Sequence, residues 1–141
     1  MLFAARFFAQ YINYLLVTLL LLLPLLQNKE NWRSRGEFWI RSALGIGLAV
    51  TLAENGKHFV VLLGYPGFPS GHETFGLAAA TSLAWRDPIW IPNCLLLTGL
   101  LAWALITAHY HQPVDVAGAL LTGPPSALLC QWAGRRNLTL P

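Results

Sequence analysis

The sequence predicts an all-α fold, a polytopic bundle of about five transmembrane helices forming a single domain over residues 1–141. Two observations carry that expectation. The chain is 55% hydrophobic and 11% charged, outside the usage of ordinary soluble domains. Its apolar residues also fall into five segments, several of them near the ~20 residues that a spanning helix needs, separated by short polar, Pro- and Gly-bearing breaks. The net charge of +3 is modest and concentrated near one predicted face, which argues topology and not nucleic-acid binding. Cys94 and Cys130 lie inside apolar segments without ligand spacing, as reduced packing residues do.

The first span is placed at 7–26, interrupted only by Gln10, Asn13 and Thr18. A cleaved signal peptide is the rival interpretation, but the apolar run is too long and no small-residue cleavage site follows. Residues 27–36 read as a solvated loop with an interfacial Trp32. The second span, 38–63, is long and carries Glu54, Lys57 and His58 within it. Charges at such depth are costly unless they face a polar cavity or the bundle interior. Gly64 to Gly67 ends that helix. The third span, 71–85, is rich in Ala, Gly, Ser and Thr, as in helices packed closely by their neighbours. A turn at Arg86-Asp87-Pro88 leads to the fourth span, 90–108. The fifth, 113–132, holds Gly123-Pro124-Pro125, which predicts a kink.

Alternating the segments puts the loops around residues 65–70 and 109–112 at one face, with Lys57 and His58 pointing to it. Seven of the nine basic residues fall near the opposite face; Arg6 and Lys57 are the exceptions. By the positive-inside rule the basic face is cytoplasmic, so the histidine face is periplasmic in a bacterial inner membrane. Arg6 argues against that orientation.

All four histidines, His58, His72, His109 and His111, are expected at the same face. In Phe68-Pro69-Ser70-Gly71-His72, Pro and Gly stop one segment and Ser70 is a good N-cap for the next. The unpaired N–H groups of a helix start, at the positive end of its dipole, accept an anion such as phosphate, with His72 beside it. In the second break, Pro113 suits the first turn of a helix, so Asp115 lies one turn beyond His111. Its carboxylate would fix the imidazole tautomer and leave the other ring nitrogen free as nucleophile or base. Plain stabilisation of the helix N-terminus is the simpler role for Asp115.

These residues resemble the membrane-bound type-2 phosphatidic-acid phosphatases, which share a core with the vanadium haloperoxidases. The family's second motif, Pro-Ser-Gly-His, is matched by Pro69-Ser70-Gly71-His72. Its third, Ser-Arg, five residues, His, three residues, Asp, is matched at His111 and Asp115. Its first, Lys, six residues, Arg-Pro, is matched at Lys57. The likeness covers roughly the last hundred residues, and against the family's six-helix core the chain looks like one lacking the first helix. Two family arginines that help clamp phosphate are missing, their places taken by Gly64 and Leu105; His58 and His109 are the candidate substitutes. Each lost charge-stabilising donor typically costs about 10²–10³ in rate.

The resemblance implies a metal-independent, cofactor-free phosphatase acting on a lipid phosphate in the bilayer. His111 would be the nucleophile, Asp115 its orienter and His72 the acid and base; Lys57, Ser70 and Gly71, with His58 and His109, would hold the phosphoryl oxygens. Two other expectations compete with it. One is a family fold that has lost its clamp and binds lipid or assembles with other subunits. The other is a metal site built from His72, Glu73, His109, His111 and Asp115.

Overall fold

The computed structural model describes residues 1–27, 31–61 and 67–136. Among them the chain is all-helical, with five α-helices and one 3₁₀ turn. These are α1 (Leu2–Leu26), α2 (Trp32–Val61), α3 (Gly71–Arg86), α4 (Ile91–Thr107) and α5 (Pro113–Arg136). Two stretches, Leu2–Leu26 and Pro88–Thr107, are long and apolar enough to cross a membrane.

α3 is the centre of the bundle and packs against each of the other four helices. Small residues make that possible: Ala78, Ala79 and Ala80 are buried, with Gly76 and Ser82. Where α5 passes, a Cβ on Gly123 would come within 2.9 Å of the Thr74 carbonyl, so no larger residue keeps that approach. The Thr74 and Thr122 hydroxyls meet at 3.1 Å across the same seam. α5 also lies along α2, where Gln131 donates to the buried Ser42 hydroxyl at 3.0 Å. α1 packs on α4 and α3 through Ala5, Ala9, Ile12, Leu16, Leu20 and Pro24, a stripe repeating every three or four residues.

Several boundaries differ from the sequence expectation, each for a local reason. α2 begins at Trp32, inside the stretch read as loop, because the Asn31 side chain accepts the Ser34 N–H at 2.8 Å and caps it. The Arg33–Glu37–Arg41 ladder, with contacts of 3.1 and 2.9 Å, then supports the first turns. α1 begins at Leu2, five residues before the apolar run, so Arg6 is helical. Pro24 lies within α1 and has no N–H to give the Leu20 carbonyl. The Trp39 indole of α2 donates to that carbonyl instead, at 3.2 Å. α5 runs as one helix through Pro124 and Pro125. Gly64, Tyr65 and Pro66 lie outside the described residues.

The helix order gives the bundle two chemically distinct ends. The C-terminus of α1, the N-terminus of α2 and the C-terminus of α3 share one end, where Gln27 receives hydrogen bonds from Arg35 and Arg86 and Arg86 stacks over Phe38. The other end holds Arg6, Lys57, His72 and His111.

Candidate functional site

The two polar breaks meet. The Ser70 N–H donates to the Asp115 carbonyl at 2.8 Å, joining the start of α3 to the first turn of α5. Gly67 lies flat against the Asp115 carboxylate; a Cβ there would sit 2.7 Å from Oδ2. Residues 45 and 48 positions apart are thereby held in one corner.

The loop carrying His111 is built by the end of α4. The Tyr110 N–H donates to the Leu105 carbonyl at 3.0 Å and the His109 N–H to the Ile106 carbonyl at 3.1 Å, the paired bonds of a Schellman stop. His109 takes the left-handed position that such a stop requires, with φ 58°, a conformation His tolerates better than most residues. The His111 N–H then turns back to the same Leu105 carbonyl at 3.3 Å.

The Asp115 carboxylate caps α5 and lies beside the His111 ring. Oδ2 accepts the Gln112 N–H at 3.0 Å, closing the start of α5. The same oxygen lies 3.5 Å from Nδ1 of His111, a buried nitrogen that makes no hydrogen bond. With Nδ1 turned to the carboxylate, Nε2 is the nitrogen left for chemistry. Burial pushes the His111 pKa below its ordinary value, Asp115 acts to raise it, and the charges of His72 and Lys57 lower it further. The neutral, nucleophilic ring is therefore the resting form at neutral pH.

His72 and His111 line two adjoining cavities. The first, of about 570 Å³, is also lined by Lys57, Glu54, Gly71, Asn13 and the apolar Val17, Val50 and Phe75. The second, of about 480 Å³, shares Gln10 with the first and adds Arg6, Ala9, Leu105 and Tyr110. Lys57 reaches the start of α3 and forms a 2.6 Å ion pair with Glu54. Gly71 is what admits the pair, since a Cβ there would lie 2.9 Å from Glu54 Oε1 and 3.6 Å from Lys57 Nζ.

Three expected site residues are placed elsewhere. Ser70 is fully buried and its hydroxyl accepts the Glu73 N–H at 3.3 Å, so it caps α3 and is on neither cavity wall. His58 and His109 are exposed and line neither cavity. Leu105 is buried on the wall of the second cavity. Among the described residues no three His, Cys, Asp or Glu side chains converge to hold a metal ion.

α1 contributes more than its apolar run suggested. Arg6, Gln10, Asn13, Tyr14 and Val17 all face the two cavities, and Asn13 donates to the His72 carbonyl at 3.1 Å. Their spacing of three and four residues marks one helix face. Polar residues repeating at that spacing in an apolar helix were the available signal.

No protein-family model, curated protein or solved structure matches the chain.

Proposed function

We propose that the protein is a metal-independent phosphatase of a membrane lipid phosphate, working through a phosphohistidine. The observation that carries this reading is the shared cavity: two imidazoles from separate breaks, one backed by a carboxylate, face one space beside a lysine and a helix start. In the proposed reaction Nε2 of His111 attacks phosphorus and the bond to the lipid oxygen breaks. His72 protonates the departing alkoxide, and Asp115 balances the imidazolium that forms. His72 then takes a proton from water, whose oxygen attacks phosphorus, releasing inorganic phosphate and neutral His111. Lys57 and the open N–H groups at Gly71 hold the phosphoryl oxygens. This is the chemistry implied by the likeness of Pro69 to His72, His111 and Asp115 to the type-2 phosphatidic-acid phosphatases.

In the same proposal all five helices cross the bilayer, the basic end faces the cytoplasm, and lipid tails reach the apolar wall at Val17, Val50 and Phe75. Two observations favour a second reading, a lipid-binding subunit without turnover. Leu105 gives the second cavity hydrocarbon where the family has a cation, and Lys57 is already paired with Glu54.

Phosphate release from a panel of lipid monophosphates and diphosphates separates the two. The phosphatase reading expects release by the native chain, none by His111→Ala, and an acid-labile phosphoryl group trapped on the protein after a rapid quench. Release that is unchanged in His111→Ala, or none from any substrate in the panel, overturns it.

A further inference from the structure

The cavities' charge balance singles out a residue that neither polar break contains. A phosphate monoester arrives carrying up to two negative charges, and Lys57, the cation at the first cavity, is offset by Glu54 at 2.6 Å. Leu105 and Ala9 offer the second cavity only hydrocarbon. Arg6 lines that cavity with His72 and His111 and makes no ion pair among the described residues. A guanidinium stays protonated at any working pH, and its planar fork matches two oxygens of a tetrahedral anion.

Two further facts point the same way. Arg6 and Lys57 stand at the histidine end, whereas Arg35 and Arg86 meet at Gln27 at the other. A cation kept against the charge bias of a membrane protein calls for a local partner. Arg6 also lies one turn from Gln10 and two from Asn13, on the one face of α1 turned to both cavities, so the helix delivers it to the imidazoles.

We infer that Arg6 is the main anion-binding residue of the His72–His111 site, gripping the phosphoryl group from α1 in the second cavity. The ligand class is a phosphate monoester dianion or the free phosphate released from it. This inference rests on the phosphatase reading for its substrate, but not for its binding test.

The test uses the full chain in non-ionic detergent with orthophosphate as probe, followed by isothermal titration, and dioctanoyl phosphatidate as substrate. Arg6→Ala and Arg6→Gln are expected to weaken orthophosphate binding at least tenfold and to lower kcat/KM by about 10²–10³. Arg6→Lys should recover part of each, since a single ammonium lacks the fork. His111→Ala should release no phosphate from substrate. Because Arg6 is exposed, these variants should keep native helicity by circular dichroism. Should Arg6→Ala aggregate, Arg6→Gln and Arg6→Lys decide the matter. Native-like affinity and turnover in Arg6→Gln overturn the inference and leave Arg6 as a headgroup anchor. Arg6-dependent binding without lipid hydrolysis sustains the inference and overturns the phosphatase reading. Absence of both binding and hydrolysis in the native chain overturns both.

Discussion

The Asp115 carboxylate faces a backbone N–H and an imidazole with the same oxygen, so its charge and its shape are separable. Asp115→Asn keeps an acceptor for Gln112 and so should fold, but it removes the charge that holds the His111 tautomer. The expected loss in kcat is about 10²–10⁴-fold. Its pH dependence has a definite sign. Because burial sets the His111 pKa below its ordinary value, the acid limb of kcat/KM should fall below about pH 6.5. Asp115 raises that pKa and Lys57 lowers it. Asp115→Asn should therefore move the limb to still lower pH and Lys57→Gln should move it up; opposite shifts would dismiss this electrostatic account. His109 offers the contrasting case. It stands at φ 58° in a helix stop, exposed and away from the cavities, where glycine is the favoured residue. His109→Gly should keep kcat/KM within about threefold, whereas losing a phosphate clamp would cost about 10²–10³.

Among the helices, the contact between α1 and α2 turns on a single missing N–H. Pro24 leaves the Leu20 carbonyl without its intrahelical donor, and Trp39 supplies one from the neighbouring helix at 3.2 Å. Trp39→Phe should destabilise the bundle by about 1–3 kcal/mol, the cost of stranding a buried acceptor. In a Pro24→Ala background the helix closes that bond itself, and the same substitution should cost less. Unfolding in mixed micelles across the four proteins of the cycle measures the difference, and an unchanged cost would rule out the shared carbonyl. Most of the helices were legible because their apolar segments are bracketed by Pro, Gly or a capping side chain; α1 has no side-chain cap and is legible from its apolar run alone. Boundaries were less so. Asn31 as a cap and the Arg33–Glu37–Arg41 ladder extend α2 into a stretch whose polarity alone reads as loop.

For the molecule as a whole, the corner formed by Ser70, His72, His111 and Asp115 was legible because each break carries its own local chemistry, a cap or a His–Asp turn. Arg6 was not, since no spacing rule links a cation near the N-terminus to histidines 66 and 105 positions away. Only the packing of α1 on α3 and α4 brings it there. The same antiparallel arrangement sets Arg33, Arg35 and Arg86 at the end opposite the cavities, and this asymmetry yields a prediction of orientation. Membrane insertion retains Lys and Arg on the cytoplasmic side, so the proposed topology puts Tyr110 outside and Arg33 inside. Both positions are open to reagents, at 56% exposure for Tyr110 and 83% for the Arg33 side chain. In a chain with Cys94 and Cys130 replaced by alanine, Tyr110→Cys should react with a membrane-impermeant thiol reagent in intact cells. Arg33→Cys should react only after permeabilisation. The reverse pattern would turn the bundle over, put both cavities on the cytoplasmic side, and make Arg6, not the arginines at the opposite end, the charge that governs insertion.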